Sequence, residues 1–221
     1  MGWTARAFYA PLSPPNILDH AKLPMDPVFT IPYPEYAVAS QLSHYLPSSQ
    51  GYAIFVPTSR QQKGVDLLVT SRKNGITKSM SIQVKSSRTY SRKSPSIRTR
   101  KAFRYHTWYN NFDAPPEADF IFLVALYPND ERSRSRAIES WWSQVVMVFT
   151  HAEMVEFLAS VKTVGGRRDK MFGFGFDTPN RIEQTRGDQF KQYRDFTKHL
   201  LAERVDQLKK FLGVVPPSGR L

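Results

Sequence analysis

Hydrophobic positions recur at two different spacings, which predict both helices and strands. Val38, Leu42 and Leu46 follow Pro34 at helical spacing and predict a first helix. Apolar runs at 52–56, 65–70, 119–127 and 144–149 predict strands, and the alternating stretch 79–85 predicts a half-buried strand. Asn74 and Gly75 predict a hairpin turn between two of these strands.

The remaining segments complete a mixed α/β order on one sheet. The aromatic and basic stretch 99–112 predicts a helix. A capping box at Thr150 and Glu153 predicts a second helix that runs to about residue 161. The stretch 188–212 predicts an amphipathic C-terminal helix, which completes a mixed α/β order. The alternating Gly and Phe residues at 173–176 predict a turn or an irregular strand. We divide the chain into a proline-rich arm (1–34), a core (35–161) and a C-terminal extension (162–221).

Composition and charge narrow the classes of function. The chain has 221 residues, a formal net charge of +12 and no cysteine, which excludes a disulfide scaffold, a thiol nucleophile and a zinc finger. Between residues 86 and 112 there are seven basic and no acidic side chains. This excess of positive charge favours nucleic acid over an acidic membrane as the binding partner. No apolar run could span a bilayer and no secretory signal precedes the core, so we expect a cytoplasmic protein without a membrane partner.

Four residues form a pattern that suits phosphodiester hydrolysis. Asp66 interrupts an apolar strand, and Gln83 and Lys85, two residues apart, project from one face of the strand across the hairpin. Glu35 lies in the first helical turn and points with its apolar face. A hard cation could take oxygens from Asp66, Gln83 and the Val84 carbonyl, with Glu35 acting through a water molecule. Lys85 could orient or deprotonate the attacking water, or stabilise developing charge.

These residues resemble the motif of the PD-(D/E)XK, or restriction-endonuclease-like, nuclease superfamily, most closely its Mrr-like group with a Gln-x-Lys motif. The resemblance covers residues 30–127. It implies an αβββαβ core with a central mixed β-sheet flanked by helices. Asp66, Gln83 and Lys85 would be its active-site residues, and Glu35 its helix-borne acid. It also implies a Mg²⁺- or Mn²⁺-dependent endonuclease that acts on DNA. Gln83, however, stands where the family usually has an acid.

The basic residues supply candidate phosphate contacts around this centre. The set is Arg60, Lys63, Ser87, Arg88, Arg92, Lys93, Arg98, Arg100, Lys101 and Arg104. Tyr105, Trp108 and Tyr109 could stack on bases, although we expect core packing for them. A restriction-type enzyme that cuts both strands of double-stranded DNA would need two centres, which predicts a homodimer.

Several alternatives remain open at this point. The same site would suit a Holliday-junction resolvase or a DNA-repair nuclease. A catalytically inactive nucleic-acid-binding module is another class, and a basic scaffold protein is a third. Each site residue also has a structural interpretation. Asp66 could pair with Lys63 or Arg72, Gln83 could be a surface residue of its strand, and Lys85 could extend to solvent. Glu35 could be an acid that the helix macrodipole favours in the first turn.

Overall fold

The computed structural model describes residues 33–57, 63–73, 75–91, 103–128, 142–163, 165–187 and 194–213. Its helices and strands, in chain order, are α1 Tyr33–Tyr45, β1 Tyr52–Phe55, β2 Leu67–Lys73, β3 Ile76–Ser91, β4 Tyr105–Asn110, β5 Phe120–Pro128, β6 Trp142–Thr150, α2 His151–Ser160, β7 Met171–Phe176, β8 Glu183–Arg186 and α3 Leu201–Phe211. The predicted arm, except for its last two residues, and Asn74 of the predicted turn lie outside the described residues.

The strands form one mixed sheet in which most pairs are antiparallel. β1, β2 and β3 form an antiparallel meander, β5 runs parallel to β3, and β6 is antiparallel to β5. The far end of β3 pairs with β4, which continues through β7 to β8. The 16-residue strand β3 therefore joins two parts of the sheet. This architecture is α/β, as the sequence predicted.

The predicted helix at 99–112 is wrong over residues 105–110, which form β4. Tyr105, Thr107 and Tyr109 alternate with His106 and Trp108, and aromatic and β-branched residues favour strands. All six residues pair with β7. The described residues between β3 and β5 therefore contain a strand and no helix. This order differs from the predicted αβββαβ order, which has a helix at that place.

The predicted C-terminal helix is wrong over residues 194–200, because α3 begins only at Leu201. Asp195 forms a β-bridge with Glu183, and Thr197–His199 is a short 3-10 helix. Leu200 is extended, with φ −58° and ψ 144°. Tertiary contacts therefore hold this segment against the sheet before the helix starts. By contrast, the capping box of α2 is present at Thr150 and Glu153, as predicted.

Two hydrophobic layers cover opposite faces of the sheet formed by β1, β2, β3, β5 and β6. One contains Val38 and Leu42 of α1, Leu201 and Leu208 of α3, and the sheet residues Leu67, Val69, Ile82, Val84, Phe120 and Phe122. The other contains Ile121 and Leu123 of β5, Tyr109 of β4, Phe157 of α2, and Phe172 and Phe174 of β7. Burial on both faces explains why β5 is an uninterrupted apolar run. Helix α1 lies on the first of these faces.

A buried polar cluster fixes the segment before α3. The ring of His199 stacks on Phe149, with 4.3 Å between centroids, and its Nδ1 lies 3.2 Å from the Val148 carbonyl oxygen. Arg204 forms a 3.0 Å ion pair with Glu153 of α2 and also approaches His199 Nδ1. Burial, reinforced by the Arg204 guanidinium, lowers the pKa of His199 from 6.5 to about 4. His199 is therefore a neutral core residue at pH 7.

We expect acid to destabilise the protein through His199 between pH 6.5 and about 4. The unfolded chain binds a proton in this range that the folded chain does not, so stability is full above the window and falls as pH decreases, by ~3 kcal/mol. Urea unfolding across this range should show a flatter pH dependence for His199→Gln than for wild type. The exposed His44 gives the matched control, His44→Gln. Equal pH dependence of wild type and His199→Gln would contradict this assignment.

Candidate active site

Asp66 lies immediately before β2 and caps the neighbouring strand β3. Its backbone N–H donates to the Ile82 carbonyl (2.8 Å). Its carboxylate oxygen Oδ2 accepts the Val84 N–H at 2.7 Å and also accepts from the side-chain amide of Gln83. The Asp66 carboxylate thus accepts a backbone hydrogen bond from β3 at the position just before β2 begins. Lys63 and Arg72 form no ion pair with it among the described residues, so its structural partners differ from those that the sequence suggested.

Gln83 is polar yet only 8% exposed. Burying a polar side chain is costly unless it is hydrogen-bonded, and the Asp66 carboxylate supplies the bond here. Gln83 Nε2 also lies 3.4 Å from the Val84 carbonyl oxygen. Asp66, Gln83 and the backbone of Val84 are therefore in direct contact.

Lys85 lies on the same face of β3 as Gln83. Gln83 is paired with Ile121 and Lys85 with Leu123, which belong to the second hydrophobic layer. The Lys85 Nζ atom lies 5.5 Å from the centre of the Phe112 ring, a cation–π distance. Within the described part of the chain no carboxylate forms an ion pair with Lys85. Its charge is thus held by an aromatic ring and remains available to an anion.

These residues lie where the two parts of the sheet separate. β3 pairs with β2 through residues 76–82 and with β4 only from Thr89 to Ser91. Val84 N–H faces Asp66, and the Arg88 carbonyl accepts from Thr107 Oγ1 of β4. Since alternate residues of a strand direct their backbone groups to the same edge, β2 and β4 border one edge of β3 with a gap between them. Gln83, Val84 and Lys85 lie in the part of β3 that borders this gap.

Glu35 lies in the first turn of α1, and its Oε2 atom is buried. The helix packs through Val38 and Leu42 on the face of the sheet that carries Val84. Gln83 and Lys85 project from the opposite face. The structure therefore brings Asp66 and Gln83 into contact, places Lys85 two residues farther along the same face of β3, and anchors the helix of Glu35 on the other side. A role for Glu35 at this site stays a prediction.

The candidate metal ligands are one carboxylate oxygen and two carbonyl-type oxygens. Asp66 Oδ2 is used by two hydrogen bonds, whereas Oδ1 accepts none from the described residues. Gln83 directs its nitrogen at Asp66, so its oxygen would face the same point only after rotation of the amide. No group of three His, Asp or Glu side chains suited to a metal occurs among the described residues. Mg²⁺ prefers a few oxygen ligands and keeps several waters, so a Mg²⁺ site at these residues stays a prediction.

The predicted phosphate-binding residues have different positions. Lys63, Arg88 and Arg104 are exposed. Ser87 is half-buried, and its hydroxyl donates to the Trp108 carbonyl, so it is committed to the β3–β4 connection. The other six lie outside the described residues: Arg60, Arg92, Lys93, Arg98, Arg100 and Lys101.

Sequence reasoning missed Phe112, which faces Lys85. No local pattern around Phe112 indicated this contact, because it depends on the position of the chain after β4. Tyr105 and Tyr109 are buried, as expected from their apolar character, and Trp108 is half-buried.

The chain matches no protein-family model, and no curated protein or solved structure is significantly similar to it. None of the described helices is long and apolar enough to cross a membrane.

Proposed function

We propose that the protein is a magnesium-dependent endodeoxyribonuclease of the restriction type. The observation that supports this most strongly is the contact between the Asp66 carboxylate and the Gln83 side chain, with Lys85 two residues farther along the same face of β3. A carboxylate, an amide and a nearby cation suit the hydrolysis of a phosphodiester. The net charge of +12 supports DNA as the substrate.

Each residue has a specific role in this proposal. Asp66, Gln83 and the Val84 carbonyl would hold Mg²⁺ or Mn²⁺, which when bound neutralises charge on the phosphate and lowers the pKa of water. Lys85 orients the attacking water and stabilises the negative charge that develops on the phosphate. The Phe112 ring beside Lys85 excludes water from one side of the ammonium, which strengthens its attraction for an anion.

Double-stranded DNA would require two such centres for cleavage of both strands. A homodimer with two-fold symmetry supplies them, and we include it in the proposal. A Holliday-junction resolvase or a repair nuclease would use the same centre on a different DNA structure.

A catalytically inactive DNA-binding module is the second candidate. Two observations favour it: Gln83 stands in place of an acid, and its nitrogen rather than its oxygen faces Asp66. Such a module would bind DNA in a salt-dependent way and cut none.

A panel of DNA substrates tests the proposal. Methylated duplex, unmethylated duplex and a four-way junction would each be incubated with the protein in Mg²⁺ and in EDTA. We expect discrete fragments from at least one substrate in Mg²⁺ and none in EDTA. Binding to all three without cleavage of any would select the inactive module instead.

Neutralising Arg98, Arg100 and Lys101 together should flatten the salt dependence of DNA binding. Each phosphate contact contributes a slope of about 0.9 in log affinity against log salt concentration. Affinities of the triple Gln variant would be measured by fluorescence anisotropy between about 50 and 200 mM salt. The matched control replaces the exposed lysines 73, 78 and 210 by Gln. A slope that changes equally in both variants would show that DNA does not contact residues 98–101 specifically.

A further inference from the structure

Tyr90 and Trp108 form an aromatic surface on the part of the sheet beyond the proposed active site. The two rings lie 5.1 Å apart between centroids, with a 37° angle between their planes. The Trp108 ring is in turn stacked on His106, 6.1 Å away at 19°. Tyr90 pairs with His106 across β3 and β4, and His106 and Trp108 are two residues apart, so the three side chains share one face.

Glycine residues in β7 explain how Trp108 lies against the sheet. Gly173 is paired with Trp108, and a Cβ atom at Gly173 would come within 2.4 Å of Trp108 Cδ1. Gly175 leaves similar space for Phe103, at 2.5 Å. The alternating Gly and Phe residues of β7 therefore bury phenylalanine rings on one face and receive Trp108 on the other. The position of the indole is fixed before any ligand arrives, which lowers the entropy cost of binding.

The surface is accessible and lies in a basic region. Tyr90 is 52% exposed. Arg88, two residues earlier on the same face of β3, is also exposed. Neither residue belongs to the proposed catalytic set. The exposed Tyr90 ring beside the Arg88 guanidinium suits a ligand that combines a π face with a phosphate.

We infer that Tyr90 and Trp108 form a stacking site for an unpaired base of single-stranded DNA. The choice of DNA rests on the proposed function. Bases inside a duplex stack on each other and cannot present a face to a protein ring, whereas an unpaired base can. Tyr90 follows Lys85 by five residues, roughly 17 Å along the strand, and points to the other face. The stacking site is thus separate from the proposed catalytic residues, and an unpaired base bound there deepens the proposed substrate to DNA with a single-stranded or branched part.

Binding of a labelled 20-nucleotide single strand and of a blunt duplex, both in EDTA, tests this inference without requiring cleavage. We expect Tyr90→Ala to weaken single-strand binding by roughly tenfold or more, since each stacked base contributes about that factor. Duplex binding should change less than about twofold. Tyr90→Phe keeps the ring and should retain single-strand affinity. Tyr36→Ala removes another exposed tyrosine, on α1, and serves as the matched control.

The outcomes separate this inference from the proposed function. Equal single-strand affinity of wild type and Tyr90→Ala would overturn the stacking site, while cleavage in Mg²⁺ would still support the nuclease. A loss of single-strand affinity in Tyr90→Ala would support the stacking site even if no substrate were cut, in which case only the nuclease would fail. An equal loss in Tyr36→Ala would also overturn the stacking site, because the effect would not be specific to Tyr90.

Discussion

We expect Lys85→Ala to lower the rate of DNA cleavage by about 10²–10⁴-fold and to leave DNA affinity nearly unchanged. The ammonium is placed on the same face as Gln83 and is held near Phe112 without an acidic partner among the described residues. Its removal takes away stabilisation of the transition state but only one of many positive charges that attract DNA. Single-turnover cleavage rates and equilibrium binding, measured on one substrate, separate the two effects.

Lys78→Ala is the matched control for this prediction. Lys78 is an exposed lysine on the same strand, paired with Ser71 of β2. Its loss removes the same charge at a distance from the proposed centre. Equal cleavage by wild type and Lys85→Ala, or equal loss in both variants, would contradict a catalytic role for Lys85.

Asp66→Asn should abolish stabilisation of the protein by Mg²⁺ and also lower its intrinsic stability. We expect the wild-type melting temperature to rise by about 5–10 °C at a metal concentration 100-fold above the Kd, and that of Asp66→Asn not to rise. The neutral amide oxygen of Asn accepts these hydrogen bonds more weakly than the charged carboxylate does, so metal-free stability should fall by ~1–2 kcal/mol. Thermal and urea unfolding measure the two quantities.

Asp119 provides an unusually close control. It lies immediately before β5, and its Oδ2 accepts the N–H and the hydroxyl of Ser81 on β3, each at 2.8 Å. Asp66 and Asp119 thus cap the same strand from two neighbours in the same way. Asp119→Asn should cost similar stability and keep the response to Mg²⁺. A response to Mg²⁺ that survives in Asp66→Asn would show that Asp66 is only a structural cap.

The strands of the first half could be predicted because their side-chain patterns reflect burial directly. The alternation at 79–85 and the apolar run at 119–127 correspond to a sheet covered on one or both faces, and β3 and β5 contain them. Helix α1 was predicted from its apolar spacing and from Pro34 in its first turn for the same reason. In each case one local pattern determines one type of element.

The errors arose where tertiary pairing decides the structure. Residues 105–110 carry aromatic groups on both faces, so neither a helical nor a simple strand period is evident, and pairing with β7 makes them a strand. The segment 194–200 has helical composition, but Phe196 and His199 pack on Phe149 and keep the backbone out of the helix. Long-range contacts of this kind leave no local signal.

The candidate site was predictable in part. The spacing of Asp66, Gln83 and Lys85 across a hairpin indicated that they meet, and Asp66 does contact Gln83. The direction of the Gln83 amide, the ring of Phe112 and the gap between β2 and β4 depend on the folded chain. These three features therefore had to be taken from the structure.

The decisive measurement is the cleavage of plasmid DNA by wild type, Asp66→Asn and the folded control Asp119→Asn, each in Mg²⁺ and in EDTA. A metal-dependent nuclease that uses Asp66 should give nicked or linear product with wild type and Asp119→Asn in Mg²⁺, and none with Asp66→Asn or in EDTA. Cleavage by Asp66→Asn equal to that of wild type, or cleavage by wild type that persists in EDTA, would contradict this proposal.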